Sequence, residues 1–203
     1  MSSPIETVAS AAPEATKGAV TRAAILDRAV DIASVEGLEG LTIGRLASEL
    51  EMSKSGLFAH FGSKRDLQLA AVGAAAQRFR TAVIDPALES PDGAPRLRAM
   101  ADSYLIHLSS EPYPGGCFWA ATSAEYDDRP GPVHDAIVAA VDGWLGELER
   151  QARIAGAADP GQFAFELYAV VMGANSRYRL SHDRQVFDYA RAIVDRLLGE
   201  LPG

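Results

Sequence analysis

The chain is short of cysteine, histidine, long apolar runs and basic excess, and each shortage removes a class of function. A single thiol, Cys117, stands among 203 residues. No internal disulfide can form, which fits a reducing cytoplasm. The four histidines, His60, His107, His134 and His182, lack the close ligand spacing of a zinc site, and no metal or cofactor is expected. There is no Walker loop, no dinucleotide fingerprint and no G-x-S-x-G nucleophile turn. No run reaches the roughly eighteen apolar residues of a membrane-spanning helix. Runs of β-branched residues are rare while Ala and Leu abound, which favours helix. Residues 1–18 carry Pro4, Pro13 and several Ser and Ala, without the basic start and apolar core of a signal peptide. They read as a disordered tail, and export is not expected.

What is present is an ordinary globular composition, 48% hydrophobic and 23% charged. The net charge of −8 is unevenly spread. Residues 1–80 are balanced, so the whole acidic excess sits in residues 81–203. Within 42–65, Arg45, Lys54, Lys64 and Arg65 oppose only Glu49 and Glu51, a weak basic patch.

Apolar spacing at Ile25, Ala29, Ile32 and Ala33 predicts a helix over 21–36, stopped by Gly37. Thr42 opens a short helix to about Leu50, with Ile43, Leu46, Ala47 and Leu50 on its buried face. After a break at Glu51-Met52, Ser53 caps a third helix that ends at Phe61 and Gly62. Ser63 and Asp66 fit a capping box for a fourth helix, which runs through Arg80 towards Asp85 and ends at Pro86. Further helices are expected over about 95–110, 117–126, 133–155, 159–181 and 184–198. They are separated by the proline- and glycine-rich breaks at 112–116 and 129–132. The reading is all-α, about nine helices, with no flexible linker between the parts.

The pair Thr42–Leu50 and Ser53–Phe61 has helix-turn-helix dimensions. In its second helix Leu57 and Phe61 can anchor to a core. Ser53, Lys54, Ser55, Gly56, Ala59 and His60 leave the rest small or polar. So little burial explains a short helix poorly unless its free face meets something. A DNA major groove fits: small residues permit close approach, Lys54 and Ser55 reach phosphates or bases, and His60 donates to a phosphate. The amides that open the next helix, at Ser63 and Lys64, can hold another phosphate.

Residues 21–67 resemble the DNA-binding domain of the tetracycline-repressor (TetR) family. The likeness runs from Thr21-Arg22-Ala-Ala-Ile-Leu through Leu41-Thr42-Ile43 and Leu46-Ala47-Ser48-Glu49-Leu50. It is most specific in Met52-Ser-Lys-Ser-Gly-Leu-Phe-Ala-His-Phe-Gly-Ser-Lys64. The resemblance implies DNA contacts at Thr42, Arg45, Lys54, Ser55, Gly56, Phe58, His60 and Lys64. Phe58 departs from the tyrosine common there and lacks its hydroxyl. Three segments are implied: a tail at 1–18, a helix-turn-helix domain at 19–65, and a C-terminal effector-binding and dimerisation domain at 66–203. The family likeness also implies a homodimer, paired through about 160–181 and 184–199, on a palindromic operator. Phe165, Tyr168, Val171, Met172, Ile193 and Leu197 supply apolar stripes there.

By the same resemblance the protein is a repressor released by a small-molecule ligand. Tyr104, His107, Phe118, Trp119, Tyr126 and Trp144 are the candidates for the ligand pocket, and plain core packing is the competing reading of each. Two other classes remain open from the residues. One is a helical interaction or small-molecule-binding module without DNA. The other, weaker one is an enzyme using Cys117 with His107 or His134, against which an inert buried thiol is the simpler reading.

Overall fold

The computed structural model describes residues 17–202; the tail expected over 1–18 lies outside the described residues, save that Lys17 and Gly18 already belong to the first helix. Nine helices and no strand occur among the described residues. They are α1 (Lys17–Gly40), α2 (Ile43–Glu49), α3 (Lys54–Phe61), α4 (Lys64–Phe79, with an extension described below), α5 (Ala94–Ser109), α6 (Phe118–Tyr126), α7 (Pro132–Ile154), α8 (Pro160–Ser181) and α9 (Gln185–Gly199).

The apolar stripe of α1 is buried as its spacing requires: Ile25, Ala29, Ile32 and Ala33 are closed to solvent. It packs on α4 and α6. The helix breaks at Gly37, whose φ of +75° suits only glycine. The two amides past the break do not lose their partners. Leu38 N donates to Glu125 Oε2 at 2.7 Å and Glu39 N to Glu125 Oε1 at 2.9 Å. A Cβ on Gly37 would lie 2.6 Å from that carboxylate. The corner therefore needs both a glycine in α1 and an acid from α6.

Side-chain caps set the next starts. Thr42 Oγ1 accepts from Arg45 N at 3.0 Å, Ser53 Oγ from Gly56 N at 3.0 Å, and Ser63 Oγ from Asp66 N at 3.1 Å. The Ser63–Asp66 capping box is only half made. Ser63 N donates to Phe61 O, so the Asp66 carboxylate takes the Ser63 hydroxyl instead. Leu46 and Ala47 are buried in α2, while Ile43 and Leu50 lie half-buried at the core's margin.

Pro86 does not end α4. The helix continues through a π-helical turn, Arg80–Ile84, into a last turn, Asp85–Ala87, that contains the proline. The wider turn carries the Asp85 amide to Arg80 O. It loosens the helix just where a proline ring strikes the carbonyl four residues back.

α4, α5 and α7 supply an aromatic centre. Phe79 meets Tyr104 and Trp144 edge-on, with ring centroids 4.8 and 5.1 Å apart, and Tyr104 and Trp144 are 5.6 Å apart. His107 lies beside Phe79 and Tyr113. Burial pushes its pKa from 6.5 down to about 4, so it is neutral in the fold.

One contact joins α1 to the loop before α6. Gly115 N donates to Ser34 Oγ at 3.0 Å, and a Cβ on Gly115 would stand 1.7 Å from Ser34 O. Gly115→Ala must push the two segments apart, at a cost of about 2–4 kcal/mol; chemical denaturation reads the loss. The buried His107 gives a pH dependence of known sign. Below about pH 6.5 the unfolded chain takes up a proton that the folded imidazole refuses until about pH 4. Stability therefore falls across that window, by up to roughly 3 kcal/mol. His107→Phe is expected to flatten that part of the stability–pH curve in urea titrations.

Candidate nucleic-acid interface

The free face of α3 is built by the contrast between two anchored residues and their neighbours. Leu57 is fully buried and Phe61 nearly so, which fixes the helix to the core. Lys54, Ser55, Phe58 and Ala59 point outward, Phe58 with 54% of its surface exposed. An apolar ring left that open on an eight-residue helix contributes little to the fold. Gly56 and Gly44 keep the surface low: a Cβ at 44 would sit 3.5 Å from Lys54 Cε, so the starts of α2 and α3 lie together. Thr42 caps α2 at the same end, exposed beyond its cap bond. His60 is half-buried beside Phe61.

The expected cations divide into free and countered. Lys54 is exposed and makes no ion pair among the described residues. Arg45 is held between two carboxylates, Glu36 at 2.9 Å and Glu49 at 2.6 Å, which raise its pKa; Arg28 shares Glu49. Lys64 Nζ is 2.9 Å from Glu39 Oε2 and 2.8 Å from Glu39 O. Glu39 is further bonded by the Tyr126 hydroxyl, which donates to Oε1 at 2.8 Å, and by Gln68 Nε2 at 3.3 Å. The Lys64 and Tyr126 hydrogen bonds bring the Glu39 pKa down to about 2, so the carboxylate stays charged. Burial and the neighbouring Glu39 push the Tyr126 phenol up.

Arg65, next to Lys64 in the first turn of α4, is exposed and makes no ion pair among the described residues. Reading the sequence counted it in the basic patch without carrying it to a contact; its place in that first turn was the available signal. Glu39 and Gln68 carried no signal, because only the fold brings α1, α4 and α6 together.

A cavity of about 250 Å³ lies between α4, α5, α6, α7 and α8. Tyr104, Trp119 and Trp144 line it, with Phe79, Tyr168 and one carboxylate, Glu147. The other three pocket candidates lie elsewhere. Phe118 is closed into the core and His107 lies behind Tyr104. Tyr126 borders a separate hollow of about 150 Å³ with Ser123, His134 and Asp142. The Cys117 thiol lies 3.5 Å from the Tyr104 hydroxyl, and burial raises its pKa, opposite to what a nucleophile needs. Among the described residues no group of three His, Cys, Asp or Glu could hold a metal, and no helix is long and apolar enough to cross a membrane.

On α8 and α9 the apolar residues named from the sequence separate into two sets. Val171 and Leu197 close the monomer's own core, Tyr168 lines the cavity, and Met172 is half-buried. Phe165 and Ile193 are exposed, joined by Leu180 and Tyr189, which were not expected.

Comparison with known proteins bears on the whole chain. Residues 25–71 match the family described as "Bacterial regulatory proteins, tetR family", and residues 93–194 match "Tetracyclin repressor-like, C-terminal domain". A search of curated proteins gives no match. Solved structures share the fold. A TetR transcriptional regulator from Chloroflexus aurantiacus superposes with a TM-score of 0.83 at 22% identity, over 91% of this chain and 97% of its own. A TetR-family regulator from Streptomyces coelicolor gives 0.76 at 25% identity, over 93% and 97%. AibR, solved in complex with isovaleryl coenzyme A and operator DNA, gives 0.69 at 21% identity, over 89% and 97%. With a C-terminal match spanning half of its length and an N-terminal match over the helix-turn-helix, this chain belongs to the tetR family of bacterial regulatory proteins.

Proposed function

We propose that the protein is a cytoplasmic transcriptional repressor that binds a palindromic operator as a homodimer and is released by a small-molecule ligand. The observation that carries this reading is α3: a short helix pinned by Leu57 and Phe61 that leaves Lys54, Ser55 and Phe58 open. Its small, polar face suits the floor of a major groove, and the open Phe58 ring suits a thymine methyl or a sugar. Thr42, Gly56, His60 and Lys64 complete the contact set, with Arg65 added beside Lys64. Arg45 takes part only where it leaves Glu36 or Glu49. The division of labour follows: residues 19–65 read DNA, and residues 66–203 pair the subunits and hold the ligand.

Pairing is supported by the exposed apolar residues Phe165, Leu180, Tyr189 and Ile193 on α8 and α9. Leu180 leaves 81% of its surface open, an expensive arrangement unless a second copy covers it. One short recognition helix reads too few bases, whereas two, spaced by about one DNA turn, read a palindrome. The aromatic-walled cavity beside Trp119 and Trp144 is the place for the ligand.

Selection of bound fragments from a genomic DNA pool at fixed salt is expected to enrich one palindromic site; enrichment of none would sink the operator reading. Lys54→Ala is expected to weaken binding to every sequence and reduce the salt slope by about one, while changing stability by no more than about 0.5 kcal/mol. Sedimentation should give a dimer that the double change Phe165→Glu, Ile193→Glu converts to a folded monomer with poor operator affinity. A wild-type monomer under the same conditions would end the dimer reading.

A further inference from the structure

The DNA-facing Lys64 is already occupied, and what occupies it is held from the other side of the molecule. Glu39 divides its two carboxylate oxygens. Oε2 faces Lys64 Nζ at 2.9 Å, and Oε1 accepts the Tyr126 hydroxyl at 2.8 Å and Gln68 Nε2 at 3.3 Å. Gln68 also donates to Leu38 O at 2.7 Å and meets the Tyr126 hydroxyl at 3.3 Å. Glu125, the neighbour of Tyr126 on α6, takes the amides of Leu38 and Glu39 itself. Glu39, its side chain half open to solvent, is thus tied at its backbone, by α4 and by α6. Held there, it blocks Lys64 twice: its charge neutralises the ammonium, and it repels any phosphate that approaches.

We propose that Glu39 is a built-in counter-ion which a DNA phosphate must displace from Lys64, and that Tyr126 and Gln68 are positioning residues that set how firmly it stays. Resting on the DNA-binding reading above, this inference makes α6 a direct determinant of DNA affinity. Affinity is held below what the cations of the N-terminal part could deliver, because Lys64, like Arg45, exchanges a carboxylate for a phosphate rather than gaining a partner outright. Glu39→Gln keeps the shape and the amide contacts but removes the charge. Tyr126→Phe keeps the ring packed and removes only the hydroxyl that restrains Glu39.

The experiment is a fluorescence titration of a labelled random-sequence duplex of about 30 base pairs over a series of NaCl concentrations. The proteins are wild type, Glu39→Gln, Tyr126→Phe, Lys64→Ala and the double variant Glu39→Gln, Lys64→Ala, each checked for folding by thermal melting. Glu39→Gln is expected to bind about three- to tenfold more tightly at low salt, with a steeper salt slope, and Tyr126→Phe to lie between it and wild type. Most of the Glu39→Gln gain should vanish when Lys64 is Ala. A merely structural Glu39 would lower the melting temperature without tightening DNA binding. Unchanged or weaker binding by folded Glu39→Gln, or a gain of the same size without Lys64, overturns the inference while leaving the DNA-binding reading intact. A wild-type protein that binds no duplex even at low salt overturns both.

Discussion

The rest of the structure depends on a backbone-to-backbone approach between α1 and the loop that leads into α6. Ser34 O and Gly115 meet so closely that no side chain fits between them. From this contact the chain runs directly to Cys117 and α6, so α6 is delivered against the broken end of α1. There Glu125 supplies the acceptors that Leu38 and Glu39 lost when Gly37 turned the helix. A broken helix end with orphan amides is costly when covered. The corner exists because another element satisfies it, and α2 and α3 are hung from that corner. The helix-turn-helix is therefore aimed by α6 as well as by α4.

The same arrangement governs the electrostatics. The N-terminal part is charge-balanced, and much of that balance is pairing. Arg45 is held by Glu36 and Glu49, and Lys64 by Glu39. Arg78, lower on α4, is held by Asp27 and Asp31 and ties α4 to α1. Lys54 and Arg65, both exposed, have no ion-pair partner among the described residues. An exposed ion pair contributes a median of about 0–1 kcal/mol, so exchanging the Arg45 pairs for a phosphate contact is inexpensive, whereas Glu39, restrained by Tyr126 and Gln68, resists the exchange at Lys64. The pairs around α2 and α4 can thus act as counter-ions in waiting, whereas Arg78, set between two helices, is structural.

Local chemistry in the sequence announced the helices and most of their ends. Thr42, Ser53 and Ser63 each sit at the position their side chains can cap, and Gly37 and Gly62 stand where φ is positive. These signals act within a turn, so one sequence suffices to read them. The π turn before Pro86 was not legible, because a proline in a helix reads as a stop unless the register has already loosened. The exposed face of α3 was legible in part: Leu57 and Phe61 stand one turn apart and anchor it, whereas Phe58, three residues before Phe61, is apolar and yet exposed. Glu39, Gln68 and Tyr126 were not, being separated by up to 87 residues. Tyr126 was assigned to the ligand pocket as an aromatic among others, yet its hydroxyl is bonded at the seam with α1. Phe118 likewise was indistinguishable from Trp119 by composition; only the helix phase puts one in the core and the other on the cavity wall.

That phase has a mechanical consequence. Trp119 near the start of α6 borders the cavity, and Glu125 and Tyr126 at its end hold the α1 corner. The two ends are about two turns apart, roughly 10 Å along a short helix. A cavity occupant shifts this helix only if it binds one position of it better than another. The 250 Å³ cavity is already walled by packed aromatic rings, and packed interiors answer added volume by displacement rather than compression. Two of the helices that border the cavity also pack against the N-terminal helices. One is α4, where the π turn interrupts the regular ladder beside Phe79. The other is α6, whose far end reaches Glu39 through one hydroxyl and one carboxylate. The second path ends on a charge: Tyr126 and Glu125 meet Glu39, and Glu39 meets Lys64.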